Sequence, residues 1–157
     1  MKQLLKDLKE ILPFTAFVAS IFVVLAVIRL LLDPGAINLG RQKLVISDMR
    51  ALGGLYEQYR EKYGTFPTVT ESDALENALA EFGEPHMVDG WARPYVFYSS
   101  GDSYTIVCRC RDGILEVDDP STYEQGATRG SDADIVYSNG DFFRYPQGML
   151  LSEDRED

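Results

Sequence analysis

The sequence has few of the residues on which enzyme chemistry most often depends. Its 157 residues include one histidine, two cysteines and one tryptophan. Glycine-rich phosphate loops are also lacking, since Gly53-Gly54 lies inside a helical pattern, where it favours close packing. His86 has no nucleophile motif around it, so a hydrolase is disfavoured. These absences predict a protein that is not an enzyme.

Basic residues are also scarce. The chain has 15 Lys and Arg against 25 Asp and Glu, a formal net charge of −10 at pH 7. Most of the acidic residues follow position 33, so the C-terminal part repels nucleic acid phosphates and anionic lipid headgroups. We therefore expect no nucleic acid partner.

An apolar run from Phe14 to Leu32 dominates the chain. It holds roughly nineteen residues, which at about 1.5 Å each nearly span a ~30 Å hydrocarbon core. Arg29, its one charge, lies a turn from the end, where a long side chain reaches the headgroups. The run predicts a transmembrane anchor helix over residues 13–33. Its candidate membrane-contacting residues are Phe14, Phe17, Phe22 and Arg29.

The flanks of this run indicate an orientation. Residues 1–12 place apolar side chains on one helical face and lysines elsewhere, as in an interfacial helix. Those lysines favour a cytoplasmic N-terminus, although three basic residues within 41–50 nearly balance them. We expect a cytoplasmic amphipathic segment over 1–12, a periplasmic domain over 34–151 and a solvated acidic tail over 152–157.

Apolar periodicity predicts the helices of this domain. Asp33-Pro34-Gly35 is expected to break or kink the helix, and a stripe over residues 36–63 predicts that a helix resumes there. A short third helix is expected from Ser72 or Asp73 through Phe82. The stripe of the second helix consists of Val45, Met49, Leu52, Tyr56, Tyr59 and Tyr63.

Short alternating runs predict two β-hairpins. Residues 95–99 and 104–111 flank a Ser-Gly-Asp-Ser turn signal, and residues 135–137 and 142–145 flank Asn139-Gly140. The expected fold class is therefore α+β, in which a small antiparallel sheet packs on a long helix.

The remaining segments are less regular. A further short strand is expected over 114–117, and the polar stretch 118–132 reads as a long loop. Trp91, in the loop before the first strand, is a candidate plug for one end of the core. If it is exposed, it is a candidate interface anchor instead.

Cys108 and Cys110 lie two residues apart on a predicted strand. At that spacing they are ~6.5 to 7 Å apart along the strand, too far to bridge comfortably. We expect buried free thiols, and intermolecular pairing stays open if the strand lies at a sheet edge. A Cys-x-Cys metal site would need further ligands.

Four short strings follow the anchor in a fixed order. The strings are Arg41-Gln42-Lys43 with Ser47-Asp48-Met49-Arg50-Ala51-Leu52, Gly64-Thr65-Phe66-Pro67-Thr68, Asp89-Gly90-Trp91-Ala92-Arg93-Pro94-Tyr95 and Asp132-Ala133-Asp134-Ile135. In that order they resemble the major pseudopilins of type II secretion, a branch of the type IV pilin-like family. The resemblance implies a pilin-like fold, with a small antiparallel sheet laid on a long N-terminal helix.

The prepilin leader of that family is degenerate in this chain. Family members carry a Gly before Phe-Thr and a Glu a few residues into the apolar run, which the prepilin peptidase and filament assembly require. Here Pro13 precedes Phe14-Thr15, and Val18 stands in place of the Glu. We therefore expect no cleavage and a subunit held by its uncleaved helix.

The resemblance also implies a calcium site. Major pseudopilins bind calcium in an Asp-lined loop near the C-terminus, and calcium takes about six to eight oxygen ligands. In this chain a longer acidic stretch replaces the family's glycine-rich segment, so a solvated acidic loop is the alternative. The candidate ligands are Asp112, Asp118, Asp119, Asp132 and Asp134.

The expected function is that of a non-enzymatic, single-pass structural subunit in the bacterial inner membrane. Its expected partners are the lipid bilayer and the transmembrane helices and periplasmic surfaces of other subunits. The host is a secretion apparatus or an energy-converting complex, respiratory or photosynthetic. Two alternatives remain: a pseudopilin that assembles with other pseudopilins into a filament, and a membrane-tethered hydrolase built around His86.

Overall fold

A computed structural model describes residues 17–29, 34–68 and 71–149 of the chain. The chain divides into two compact units, residues 1–37 and 38–157. The first unit contains an apolar helix, and the second contains the α+β domain.

Residues 17–29 form helix α1. This helix covers the central part of the predicted anchor over 13–33, and its large apolar side chains are exposed. Phe14, the segment 1–12 and the acidic tail 152–157 lie outside the described residues.

Helix α2 spans Pro34–Tyr63, so the predicted helix over 36–63 is confirmed. Proline fits the first turn of a helix, where its missing N–H leaves no hydrogen bond unmade. Gly64 follows with a φ of 80°, a left-handed conformation that glycine adopts without strain. Tyr63 is 51% exposed, so the predicted inward stripe ends before it. The fully buried stripe residues are Val45, Met49, Leu52 and Tyr56.

Helix α3 spans Ser72–Leu79 and buries Leu75 and Leu79. It ends three residues before the predicted Phe82, because the Phe82 N–H donates to the Leu79 carbonyl 2.9 Å away and tightens the chain into a turn. The predicted cap was also wrong: Glu71 holds the N-cap position, without a side-chain hydrogen bond.

A five-stranded sheet has the strand order β1-β2-β4-β5-β3. Both predicted hairpins are confirmed, since β1 pairs with β2 and β4 with β5, each antiparallel. Asn139 and Gly140 have φ values of 49° and 95°, as a tight hairpin turn requires. The strands are β1 (Val96–Ser99), β2 (Tyr104–Cys108), β3 (Gly126–Thr128), β4 (Ile135–Ser138) and β5 (Asp141–Pro146).

The sheet is mixed, so the prediction of a purely antiparallel sheet was wrong. Strand β3 lies inside the predicted loop 118–132 and pairs parallel with β5 at the sheet edge. Its sequence, Gly-Ala-Thr, carries no alternating apolar pattern that could have indicated a strand. The strand predicted over 114–117 does not form; those residues belong to irregular structure.

The buried face of α2 shares a core with one face of the sheet. The rings of Tyr56 and Tyr104 stack with centroids 4.4 Å apart. A Cβ at Gly53 would lie 2.4 Å from Cε1 of Tyr137, whereas one at Gly54 would meet nothing within 4 Å. Close packing at this glycine pair is therefore confirmed for Gly53. A second, smaller cluster contains Val107, Tyr123 and Val136.

Candidate functional site

Helix α1 is the first candidate site, as a membrane-contacting element. It belongs to a helix that is long and apolar enough to cross a bilayer. Phe17 and Phe22, predicted to contact the membrane, are 63% and 68% exposed. Arg29, the predicted headgroup anchor, is exposed at the last described position of α1.

Trp91, the fifth predicted interface residue, lies at the edge of the core. It is partly buried, and its backbone N–H donates to Oδ1 of Asp89 at 2.8 Å. The guanidinium carbon of Arg41 lies 6.0 Å from the indole centroid. The indole Nε1 is buried with no partner among the described residues. This placement matches the predicted core plug better than a freely exposed anchor.

Three of the five predicted calcium ligands, Asp112, Asp118 and Asp119, lie on the segment between β2 and β3. Oδ1 of Asp112 accepts from the Ile114 N–H at 3.0 Å, which closes a local turn. Oδ1 of Asp119 accepts from the N–H and hydroxyl of Ser121, and these donors lower the pKa of the carboxyl group. Asp118 is exposed.

Asp132 forms an ion pair instead of facing the other carboxylates. Its two oxygens accept from Nε and Nη2 of Arg111 at 2.6 and 2.5 Å. The hydrogen bonds from Arg111 lower the pKa of Asp132. The bidentate geometry occupies both carboxylate oxygens.

Asp134 is the most unusual of the candidates, because its carboxylate is fully buried. Oδ2 accepts from the hydroxyl of Tyr123 and from the N–H of Glu116, and its own N–H donates to Oε1 of Glu116 at 2.9 Å. Burial raises the pKa of Asp134, and these donors oppose the rise. Oδ1 has no hydrogen-bond partner among the described residues.

Arg144 brings a positive charge to this buried carboxylate. Its Nη2 lies 2.6 Å from Oε2 of Glu116, and its guanidinium carbon lies 5.5 Å from the Tyr123 ring centroid. The charge of Arg144 also acts to lower the pKa of Asp134. A network of Asp134, Tyr123, Glu116 and Arg144 thus joins the acidic segment to β5.

The structure does not gather the predicted calcium ligands at one point. Within residues 17–29, 34–68 and 71–149, no group of three or more His, Cys, Asp or Glu side chains is placed to hold a metal ion. Binding of calcium would require Asp132 to exchange Arg111 for the ion. Calcium therefore stays a prediction that follows from the resemblance.

His86 lies at the surface, as an acidic loop predicts. Its side chain is 67% exposed, and Nδ1 lies 3.6 Å from Oδ1 of Asp48. Burial raises the pKa of Asp48, and the nearby imidazole opposes the rise. In the part of the chain that the structure describes, no serine or cysteine is hydrogen-bonded to His86.

Sequence reasoning missed Asp89 as a structural centre. It is only 6% exposed, and it holds the Trp91 loop next to the two cysteines. The available signals were the Asp-Gly pair in the loop and the position of Asp89 at the start of one of the four strings, and neither indicated that its carboxylate is buried.

No protein-family model, curated protein or solved structure matches this chain.

Proposed function

We propose that this chain is a membrane-anchored, non-enzymatic structural subunit of a larger membrane complex. The observation that carries the proposal is α1, a helix whose large apolar side chains are mostly exposed. Side chains of this kind each favour an apolar environment by about 1.5 kcal/mol or more. Eight such residues are more than 40% exposed: Phe17, Ile21, Phe22, Val23, Val24, Leu25, Val27 and Ile28.

Summed over these side chains, exposure to water would cost on the order of 10 kcal/mol. That is comparable to the whole stability of a typical domain, which is about 5–15 kcal/mol. Lipid, or helices of other subunits within lipid, would remove the cost. Because a helix satisfies its own backbone hydrogen bonds, it can occupy the hydrocarbon core without partners.

The proposed mechanism is positional. The helix fixes the chain in the bacterial inner membrane, and the acidic domain is held at the periplasmic surface. The chain has a formal net charge of −10, and most of its acidic residues follow position 33. This negative charge keeps the domain away from anionic headgroups and favours contact with proteins. The host complex is a secretion apparatus or an energy-converting complex.

A photo-crosslinking amino acid at Phe22 tests this proposal in membranes of the expressing cell. We expect an irradiation-dependent adduct with one different integral membrane protein, absent without irradiation. A crosslinker at Ile114, which is 66% exposed in the domain, reports separately on contacts of the domain. Adducts with lipid alone at Phe22 would contradict a subunit role.

The second candidate is a pseudopilin filament, which the four family strings favour. In that case the same experiment would give a ladder of multiples of the chain's own mass. Mass spectrometry of peptides spanning Pro13-Phe14 separates the two candidates further. An uncleaved bond supports the fixed subunit, and a methylated Phe14 at a new N-terminus supports the filament.

A calcium titration tests the ligand set that the resemblance implies. If the set assembles, calcium protects the 118–132 segment from protease, and Asp134→Asn abolishes the protection. Asp102→Asn, in the β1–β2 turn, is the matched control. Equal cleavage with calcium and with chelator would contradict the predicted calcium site.

A further inference from the structure

The end of β2 brings two thiols into contact. Cys108 is the last residue of the strand, and Cys110 has a φ of 47°, an uncommon conformation for a residue with a side chain. This conformation turns the chain back, so that the two Sγ atoms lie 3.5 Å apart and the Cys110 N–H donates to Sγ of Cys108 at 3.2 Å. The strand spacing expected from sequence was wrong because Cys110 lies beyond the strand.

Both thiols are free and have no exposed surface. A disulfide needs an S–S distance of about 2.05 Å, so the sulfur atoms must approach by roughly 1.5 Å. Side-chain rotation at two neighbouring cysteines supplies a shift of that size, with a small adjustment of the turn.

Asp89 presents a carboxylate oxygen to this pair. Its Oδ1 accepts from the N–H groups of Trp91 and Arg93 at 2.8 and 3.0 Å, which fixes the carboxylate. Its Oδ2 accepts from Sγ of Cys108 at 3.2 Å. A buried carboxylate aimed at a thiol is placed to accept the proton of that thiol.

We propose that Cys108 and Cys110 are a redox-active pair that closes to an intramolecular disulfide, with Asp89 as the proton acceptor for Cys108. The oxidant is a second disulfide, either of a small thiol such as glutathione or of a thiol oxidoreductase. This proposal does not depend on the membrane role.

The exchange balances in two steps. The Cys110 thiolate attacks the oxidant disulfide, forms a mixed disulfide and releases one thiolate. Cys108 then passes its proton to Asp89, attacks the Cys110 sulfur and releases the second thiolate. The two cysteine sulfurs lose two electrons, the oxidant disulfide gains them, and the two thiol protons end on the two released thiols.

The turn after β2 controls access to the pair. Nη1 of Arg93 donates to the carbonyls of Cys110 and Arg111 at 2.5 and 2.7 Å, which holds this turn closed. Cys108 is held separately by the β2–β4 ladder, opposite Ile135. Opening of the turn thus exposes Cys110 while Cys108 remains beside Asp89. The adjacent Cys110 thiol and burial raise the pKa of Cys108, so a local base is needed for its attack.

The first experiment measures the final redox state of Cys108 and Cys110 after oxidation. The full-length protein in mild detergent is equilibrated with oxidised glutathione and quenched in acid. It is then unfolded and alkylated with N-ethylmaleimide, and its intact mass is measured by mass spectrometry. We expect a monomer lighter by two hydrogens, with no alkyl group and no glutathione. Two alkyl groups, a stable glutathione adduct or a disulfide-linked dimer would each overturn the proposal. Cys108→Ser should end as a single glutathione adduct on Cys110. Cys110→Ser, in which Cys108 stays buried beside Asp89, should end with one alkyl group and no glutathione.

The second experiment measures the rate of the second step, the conversion of the mixed disulfide to the intramolecular disulfide, by acid quenching at successive times. It uses concentrations of oxidised glutathione at which this rate no longer changes with concentration, so that the first attack by Cys110 is not limiting. Asp89→Asn keeps Oδ1 and loses the acceptor at Oδ2, and should slow closure on the order of 100-fold. Asp102→Asn, at an exposed carboxylate in the β1–β2 turn, should match wild type. An unchanged rate in Asp89→Asn would overturn the proton-acceptor role. If that variant fails to fold, the wild-type end point still decides whether the pair closes.

Discussion

Replacement of Gly53 by alanine tests how closely α2 packs on the sheet. The added Cβ would lie 2.4 Å from Cε1 of Tyr137 and 3.0 Å from the hydroxyl oxygen of Tyr104. The Tyr137 ring cannot easily retreat, because it is 6% exposed and packs edge-on against Phe142 with centroids 4.7 Å apart. Gly53→Ala therefore forces the helix and sheet to separate.

The expected change in the free energy of unfolding follows from two opposing effects. Alanine is more favourable than glycine inside a helix by about 1 kcal/mol. Overpacking of a close-packed core costs typically about 1–3 kcal/mol. Gly53→Ala is thus expected to change stability by between ~0 and ~2 kcal/mol in the destabilising direction. Gly54→Ala, with nothing within 4 Å, should stabilise by about 1 kcal/mol.

Urea unfolding of the full chain in detergent, followed by Trp91 fluorescence, measures both variants. The difference between their free energies of unfolding isolates the overpacking effect, which we expect to be about 1–3 kcal/mol. Equal m-values would show that both variants unfold between the same states. If the two variants stabilised the protein equally, the close contact of α2 with Tyr137 would be refuted.

Three further predictions concern buried polar groups. Burial raises the folded-state pKa of Asp134 above its unfolded value, so its contribution to stability falls as pH rises from the unfolded pKa through the folded pKa. Asp134→Asn should remove that part of the pH dependence of the unfolding free energy, and an unchanged profile would contradict it. Tyr95→Phe removes a buried hydroxyl without a described partner and should stabilise by up to about 1 kcal/mol. Tyr123→Phe removes the donor to Asp134 and should destabilise by about 1–3 kcal/mol in the same unfolding assay.

Short sequence patterns predicted those parts of the fold that are determined by residues close together in the chain. Asn139-Gly140 predicts a tight turn because both residues tolerate positive φ, and the structure has positive φ at both. The stripe from Val45 to Tyr56 predicts a buried helix face because its spacing follows the helical period. In the turn the cause is tolerance of positive φ, and in the helix it is the helical period. Each of these produces both the sequence pattern and the structure.

Features that depend on distant partners were not predictable in the same way. Strand β3 is held by its parallel pairing with β5, and three small residues carry no pattern that shows such pairing. The positive φ of Cys110 brings its thiol back to Cys108, yet cysteine is not a residue that marks such a conformation.

The predicted calcium ligands show that the surroundings of a candidate site residue were equally unpredictable from the sequence. The resemblance to pseudopilins assigned Asp132 and Asp134 the same role as calcium ligands, but the structure gives them opposite environments. Asp132 pairs with Arg111 at the surface, whereas Asp134 is fully buried beside Tyr123. Burial depends on which elements pack over a residue, and that information lies outside its own segment.

The most direct test of the proposed anchor is extraction of membranes from the expressing cell at alkaline pH. The account predicts that the chain stays in the pellet and is released only by detergent. Val23→Asp combined with Val24→Asp, at the middle of α1, should move it to the soluble fraction, since each charge there costs about 3 kcal/mol. The matched alanine pair should leave it in the pellet. Recovery of the wild-type chain as a soluble monomer without detergent would contradict the account.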